Sequence, residues 1–299
     1  MKLLTWTTLA ALTITTPLFA QNAGFKDTAG KHLDILRDGK PIVRYQYEYN
    51  PEKRLETYKP MHHVMDAEGK DTITKGHGGQ FTHHRAIYIG WNRLGHQGKN
   101  YDLWHMKGEA TQVHQEIQKQ ESNDTQSLLS SKIHWVTAGE KVAIEEVRTV
   151  TVHHGDKDAH LVLDFNTQLK AIDGDVVLKG DPEHSGFQYR PHNEVAENKS
   201  ATFLFHEEGI DPKKVKDLPW VANTHEVRGV SYTVQHMNAP SNPKGWIYSA
   251  YRNYGRFGST FYPTIKDGET LELNYRIRIT TGDTPSREAL AKAYAQFSK

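Results

Sequence analysis

The sequence predicts an all-β protein built as a large antiparallel β-sandwich with a short C-terminal helix. Three observations favour this fold. Apolar and polar residues alternate over many segments, turn-forming residues separate those segments at short intervals, and only the last segment has a helical pattern. Many strands at short spacing are typical of a sandwich, in which each strand turns one face toward a shared core.

Period-two alternation is clearest at 271–279, where Leu271, Leu273 and Tyr275 alternate with polar residues. Segment 161–169 has the same pattern and follows a turn at 155–158, so it is predicted to form a hairpin with 142–154. Further strands are predicted at 41–49, 85–91, 111–121, 127–137, 201–206, 230–237 and 246–252.

The C-terminal segment 286–297 is the one predicted helix. Ser286 is a suitable N-cap, Glu288 lies in the first turn, and alanines and Leu290 follow. This helix is predicted to pack on the surface of the sandwich. The longest predicted loops carry histidine, glycine, proline and tryptophan, and they span 51–84, 92–108, 180–200, 207–228 and 238–245.

The first twenty residues indicate export. Lys2 precedes an apolar stretch from 3 to 19, and Ala20 offers a small residue for cleavage. We therefore expect a bacterial signal peptide at 1–20, a periplasmic or secreted location, and one sandwich domain at 21–299. The chain has no cysteine, which excludes disulfides and thiolate metal sites.

Charge gives no indication of a nucleic-acid or membrane partner. The 37 Lys and Arg residues balance 36 Asp and Glu residues, and the two signs are interspersed. Histidine is the unusual residue type, with 18 copies that include three adjacent pairs. The sequence leaves the oligomeric state open.

The segment 76–85 is the densest in chemically active side chains. It holds His77, His83, His84 and Arg85 among three glycines, directly before a predicted strand. If the pleat of that strand extends back to 83–85, His83 and Arg85 share one face and His84 lies on the other. The alternative is that these histidines pack and bind backbone carbonyls.

Metal binding is a second alternative for the histidines, because imidazole suits zinc and copper. No His-Glu-x-x-His helix and no His-x-His strand spacing occurs. No cofactor is predicted, a divalent metal ion stays an open alternative, and its ligands are unknown.

Two further segments combine aromatic and polar residues. Tyr189 and Arg190 offer a proton and an anion clamp, although such a pair is also typical of a packed strand end. Asn238, Trp246 and the segment 251–258 offer aromatic faces and hydrogen-bonding groups for a sugar ring, with core packing as the alternative. No carboxylate pair of the glycosidase type stands out, since adjacent Glu145 and Glu146 face opposite sides of a strand.

The chain resembles a secreted bacterial family of unknown function that is labelled PmoA. The resemblance runs from about residue 40 to 283 and rests on KPMHH at 59–63, GGQFTHHR at 78–85, APSNP at 239–243, RNYGRF at 252–257 and the closing segment 276–283. It implies a large β-sandwich, for which a galactose-mutarotase-like supersandwich is one form, and an association with polysaccharide-degrading and sugar-oxidising enzymes. Methane oxidation is not carried over, because the subunit behind the label is an integral membrane protein.

The family's recurrent polar positions correspond to His63, His83, His84, Arg85, Arg190, Asn238, Arg252 and Tyr254. Two positions depart from the family pattern, which has Asp where Asn238 stands and Pro where Thr82 stands. The first departure argues against an acid or metal-ligand role at 238.

These observations predict a periplasmic or secreted carbohydrate-active enzyme, a lyase or hydrolase whose partner is an oligo- or polysaccharide. The predicted catalytic residues are His63, His83, His84, Arg85, Arg190, Arg252 and Tyr254, and the predicted substrate-binding residues are His77, Tyr189, Asn238 and Trp246. Elimination from a uronic or keto sugar suits these residue types better than hydrolysis by two carboxylates. The alternatives are a non-catalytic glycan-binding protein, with Trp246, Tyr251 and Tyr254 as a stacking platform, and a histidine-ligated metalloenzyme.

Overall fold

The computed structural model of the protein describes residues 23–299. The predicted signal peptide at 1–20 lies outside the described residues. Within residues 23–299, no helix has the length and the apolar character needed to span a membrane.

Strands dominate the described chain. The first ten are β1 (Gly24–Thr28), β2 (His32–Arg37), β3 (Lys40–Gln46), β4 (Met61–Val64), β5 (Ile87–Trp91), β6 (Arg93–His96), β7 (Lys99–Tyr101), β8 (Thr111–Ser122), β9 (Gln126–Val136) and β10 (Val142–His153). The next ten are β11 (Leu161–Ala171), β12 (Val176–Lys179), β13 (Ser185–Tyr189), β14 (Thr202–Phe205), β15 (Trp220–Val227), β16 (Val230–Asn238), β17 (Ile247–Tyr248), β18 (Phe257–Thr260), β19 (Thr264–Ile265) and β20 (Thr270–Thr281).

These strands form three antiparallel sheets. The first sheet has the order β1-β2-β3-β4-β5-β13-β18-β17, and the second has the order β14-β15-β16-β20-β11-β10-β9-β8. A smaller sheet has the order β19-β12-β6-β7. The predicted all-β antiparallel fold is therefore confirmed, as is the hairpin of β10 and β11, which pair from Ile144 opposite Ala171 to His153 opposite Val162.

The hydrophobic core lies between the two large sheets. Phe187 of the first sheet packs against Phe165 and Tyr275 of the second, with ring centroids 4.4 Å apart in both pairs. Trp91 and Trp135 make another contact between the sheets, at 6.0 Å. Such tilted and offset aromatic pairs are the favoured geometry for stacked rings in a core.

One buried ion pair lies inside this core. Arg148 binds Glu146 through two hydrogen bonds of 2.8 and 3.0 Å, and the Glu146 carboxylate also accepts from Trp135 Nε1 and Thr167 Oγ1. Glu145 on the same strand instead lies 3.3 Å from Lys132 on the partly exposed face. The two glutamates thus face opposite sides as predicted, and Glu146 is fully engaged in the core.

Several strands lie where the sequence predicts loops. β4 lies in the predicted loop 51–84, β6 and β7 in 92–108, β13 in 180–200 and β15 in 207–228, while β1, β2, β12 and β18 lie outside the predicted strands. The predicted strand 246–252 is wrong in length, because β17 covers only two residues. β4 and β13 are buried at every position, so both of their faces are covered and polar residues such as His62 and Gln188 are buried with the apolar ones.

Helices are few and short. α1 (Arg54–Thr57) and α2 (Asn193–Asn198) were not expected from the sequence, whereas α3 (Arg287–Phe297) confirms the predicted C-terminal helix. The Ser286 side chain accepts a hydrogen bond from the amide of Ala289, as an N-cap does. Leu290 packs against Trp220, Ala222 and Met237, so α3 covers the outer face of the second sheet.

Candidate functional site

The candidate site is built on the outer face of the first sheet. Along β5 and β13, Ile87, Ile89 and Phe187 lie in the core, and strand alternation places Tyr88 and Gln188 on the opposite face. Gln188 Oε1 accepts a hydrogen bond of 3.0 Å from Arg256 Nη1. Loops that cover this face add the remaining side chains.

The segment before β5 is a turn rather than a strand. Phe81 has a positive φ of 56°, and the amide of His84 donates to the carbonyl oxygen of Phe81 at 2.9 Å. The strand begins only at Ile87, so the pleat does not extend to 83–85 and the expected separation of His83 from His84 does not hold. Their ring centroids lie 4.3 Å apart.

Four imidazoles from three loops form a cluster, called here the histidine cluster. It consists of His83, His84, His105 and His184. The ring of His83 lies 4.3 Å from that of His105 and 5.6 Å from that of His184, and the rings of His105 and His184 are 4.8 Å apart. Ring nitrogens of His83, His84 and His184 all lie within 4.8 Å of one another.

Two members of the cluster are oriented by an aspartate three residues earlier. Nδ1 of His105 lies 2.8 Å from the carboxylate of Asp102, and Nδ1 of His184 lies 2.8 Å from that of Asp181. Each carboxylate also accepts backbone amides of its own loop, from His105 at 2.8 Å and from Glu183 at 3.0 Å. Because a carboxylate accepts, Nδ1 carries the proton and Nε2 keeps its lone pair in both rings.

The other two histidines have buried nitrogens without a partner. Both ring nitrogens of His84 and Nε2 of His83 are buried and form no hydrogen bond within residues 23–299. His84 is only 2% exposed, while His83, His105 and His184 are partly exposed. Buried polar groups are normally satisfied, so unpaired nitrogens at one place indicate that something else binds there.

Arginines and aromatic rings lie beside the histidine cluster. The Tyr254 ring lies 6.1 Å from that of His84 and 5.1 Å from that of Phe81. The Arg190 guanidinium lies 4.9 Å from the Tyr254 ring and donates from Nη1 to the Tyr254 carbonyl oxygen. Nε and Nη2 of Arg190 are buried without an acceptor in the described chain.

Glu183 is the carboxylate that neutralises arginine here. Its Oε1 accepts from Tyr251 Oη at 2.9 Å and from Arg252 Nε at 3.1 Å, and its Oε2 lies 3.8 Å from Arg256 Nη2. Arg190 forms no ion pair within residues 23–299. Arg252 and Arg256 therefore share one carboxylate, and Arg190 has none.

Burial lowers the pKa of three imidazoles of the cluster, those of His83, His84 and His184. It is the main cause that lowers the pKa of His83 to about 3, with His105 as the next cause, and it lowers the pKa of His84 well below its ordinary value. Burial also lowers the pKa of Arg190 to about 10. For His184, burial lowers the pKa and Asp181 partly offsets the effect.

The structure brings together five of the seven predicted catalytic residues. His83 contacts His84, His84 lies beside Tyr254, and Tyr254 lies beside Arg190. Arg252 binds Glu183, the residue directly before His184. Arg85 is held apart from them, because it donates to the carbonyl oxygens of Leu55 and His84 and lies over the Tyr58 ring. His63 is also separate, since its Nδ1 pairs with Thr74 Oγ1 at 3.1 Å.

Three of the four predicted substrate-binding residues are in the interior. Trp246 is 2% exposed and donates from Nε1 to the carbonyl of Leu218, so the expectation of an exposed stacking face is wrong for this residue. Tyr189 packs against Phe257 and His225, and Asn238 bonds to Tyr248 and Ser259. Both are buried because their strand positions face the core; His77 is exposed in the loop before the cluster.

Sequence reasoning missed the acidic and histidine residues that complete the site. They are Asp102, His105, Asp181, Glu183, His184 and Arg256. A sequence signal was present, because Asp-x-x-His occurs at 102–105 and again at 181–184, in two loops already noted for their histidines. That spacing allows one aspartate to bind both the ring and the backbone of its own turn.

Fold and site together define an antiparallel β-sandwich protein with a histidine and arginine cluster on the outer face of one sheet. The chain belongs to a family of unknown function, DUF6807, whose family model matches residues 32–295. Membership in an uncharacterised family agrees with the resemblance described above, and the PmoA label stays a prediction. No curated protein sequence matches the chain.

Solved structures with a similar arrangement include two proteins. One is a heparan sulfate lyase HepC mutant from Pedobacter heparinus, at 10% identity and a TM-score of 0.47, where the match covers 89% of this chain but 38% of the lyase. The other is a galactose mutarotase-like protein from Clostridium acetobutylicum, at 8% identity and a TM-score of 0.44, covering 88% of this chain and 99% of that one. At these values neither likeness bears on activity.

Proposed function

We propose that the protein is an exported carbohydrate-active enzyme that acts on an acidic oligo- or polysaccharide by elimination. One observation carries this proposal. Arg252 and Arg256 share the single carboxylate Glu183, and the nearby Arg190 has no acidic partner in the described chain. An anionic group on a ligand would balance this excess of positive charge.

The carboxylates of the site argue against two-carboxylate hydrolysis. Asp102 binds His105, Asp181 binds His184, and Glu183 binds Arg252, so each acid already has a fixed partner. A glycosidase needs an acid and a base or nucleophile facing each other across the scissile bond. Elimination from a uronic acid needs instead a base, an acid and a cation near the carboxylate.

Two groups at the surface of the site can exchange protons with such a substrate. His105 is partly exposed, and Asp102 holds its Nδ1–H so that Nε2 is free to accept a proton. Tyr254 is partly exposed and has a hydroxyl that can donate. His84, one of the predicted catalytic residues, is less suitable as an acid or base because both its nitrogens are buried.

The proposed step is a β-elimination. His105 removes the proton α to the sugar carboxylate, the electron pair forms the new C4–C5 double bond, and the C4–O4 bond breaks. Tyr254 donates its proton to the departing O4, so one proton is taken up, one is released and no water is consumed. The arginines stabilise the negative charge that develops on the carboxylate.

The test compares wild type with Tyr254→Phe and His105→Gln on a panel of acidic and neutral oligosaccharides. Thermal shift measures binding, and ultraviolet absorbance with mass spectrometry detects the unsaturated product. We expect both variants to bind an acidic ligand and to form product at least about 100-fold more slowly than wild type, because each lacks the general acid or the general base. His134→Ala, whose ring pairs with Glu145 on the second sheet, is the control that keeps wild-type activity.

Two results would contradict the proposal. A hydrolysed product that has gained water would exclude elimination. Binding of a glycan by wild type without any turnover would favour the non-catalytic glycan-binding alternative, with Tyr251 and Tyr254 rather than buried Trp246 as its aromatic surface.

A further inference from the structure

The histidine cluster has the features of a metal centre. Ring nitrogens of His83, His84 and His184 lie within 4.8 Å of one another, and the fourth ring, His105, lies 4.3 Å from His83. Three imidazoles on one side of an ion leave a position open, as in catalytic zinc sites. The ligands come from two different loops, 83–84 and 184.

The hydrogen bond to Asp181 leaves Nε2 of His184 free to bind a metal ion. His184 uses Nδ1 to bind Asp181, so Nε2 is the nitrogen with a free lone pair. A carboxylate that binds the far nitrogen of a metal-ligating histidine fixes its tautomer and raises its basicity. Asp102 orients the neighbouring His105, which is not one of the three proposed ligands, in the same way.

The unpaired nitrogens supply an independent observation. Both nitrogens of His84 and Nε2 of His83 are buried without any partner among residues 23–299, although a neutral imidazole normally donates one bond and accepts another. These atoms have almost no contact with solvent. A zinc ion binds imidazole nitrogens at about 2.0–2.1 Å and would give these nitrogens the partner that they lack.

We propose that His83, His84 and His184 bind one divalent transition-metal ion, with zinc as the best match for an all-imidazole site. Imidazole ligands favour zinc and copper over magnesium or calcium, which prefer oxygen. His105, held by Asp102, lies beside His83 and is partly exposed. The proposal does not depend on the sugar or on the reaction proposed above.

The experiment measures metal directly. Purified protein is stripped with a chelator, and Zn²⁺ is added during isothermal titration calorimetry, with native mass spectrometry to count bound ions. We expect one Zn²⁺ per chain. His84→Ala and His184→Ala should weaken binding by at least about 100-fold, and Asp181→Asn by about 10-fold to 100-fold, as is typical when the partner of a ligating histidine is changed.

Two controls keep the result interpretable. Tyr254→Phe changes the same cluster without removing a nitrogen ligand, and His134→Ala removes a histidine elsewhere; both should bind Zn²⁺ as wild type does. Circular dichroism shows whether each variant is folded. If an alanine variant does not fold, Asp181→Asn still tests the site, because it keeps all three histidine ligands. Co²⁺ replacing Zn²⁺ should give visible absorption bands that His184→Ala lacks.

Absence of stoichiometric binding by the stripped wild-type protein would overturn the metal centre, as would binding unchanged in both His84→Ala and His184→Ala. Neither result depends on turnover. If metal binds and no sugar is cleaved, the metal centre stands and the proposed elimination is wrong. If sugar is cleaved by metal-free protein, the elimination stands and the metal has no part in it.

Discussion

At the scale of single residues, two buried arginines show opposite behaviour. Arg148 is buried in the core and fully paired, because Glu146 binds it through two hydrogen bonds and the Pro60 carbonyl accepts a third. Arg190 is equally buried, yet two of its nitrogens have no acceptor in the described chain. Buried charges without partners cost stability, so Arg190 is best explained by a ligand rather than by folding.

Replacing Arg190 should therefore raise stability and weaken ligand binding. We expect Arg190→Met to increase the free energy of unfolding by about 1–2 kcal/mol, since it removes unsatisfied buried donors. Affinity for an acidic oligosaccharide should fall, while affinity for its carboxyl-reduced analogue should not. Urea denaturation and calorimetry measure the two effects.

The matched control is Arg148→Met. It leaves Glu146 buried without its cation, so it should lower the free energy of unfolding by about 3–5 kcal/mol. Equal losses in the two variants would mean that Arg190, like Arg148, is a structural charge.

At the scale of elements, the central strands of the first sheet depend on close backbone packing. Gly186 in β13 has a positive φ of 80°, and a Cβ atom there would lie 2.1 Å from the carbonyl oxygen of Ser259. β13 pairs with β5 and with β18, and its neighbour His184 belongs to the histidine cluster. A side chain at 186 would push apart the strands that hold the site.

Gly186→Ala should consequently be strongly destabilising. We expect a loss of about 2–5 kcal/mol in the free energy of unfolding, from the left-handed backbone and from overpacking together. Gly229→Ala is the control, because Gly229 has a φ of 74° with no atom within 4 Å of the added Cβ. It should lose only the backbone part, about 1–2 kcal/mol. Equal losses in urea denaturation would show that packing at Gly186 is not the cause.

Strands and site were predictable from the sequence to different degrees. Strands with one solvated face, such as β10, β11 and β20, show clear alternation and were predicted. β4 and β13 were not predicted, because loops cover their outer faces and every position of both strands is buried. The same covering loops bring His105 and His184 to His83, and that long-range contact has no signature in local periodicity.

At the scale of the whole molecule, buried histidines make stability depend on pH. Burial lowers the pKa of His225 and of His236 to about 3, from an ordinary value of 6.5. Below pH 6.5 the unfolded chain binds protons that the folded chain does not bind. The stability that these neutral rings contribute is therefore fully present above pH 6.5 and is lost as the pH falls toward 3.

We expect the free energy of unfolding to fall by about 2 kcal/mol for each of these two histidines between pH 7.5 and pH 5.0. Urea denaturation at the two pH values measures the total. His225→Gln should remove about 2 kcal/mol of this dependence, since Gln does not titrate. A pH dependence unchanged by that substitution would mean that His225 is protonated in the folded protein.

The two Asp-x-x-His turns have an evolutionary consequence. In each turn one carboxylate fixes both the imidazole and the backbone around it, at 102–105 and at 181–184. Four consecutive residues thus supply the main contacts that orient each ring, and Asn92 adds a hydrogen bond of 2.7 Å to Asp181. Such a unit is portable, because a loop can gain an oriented histidine by two substitutions.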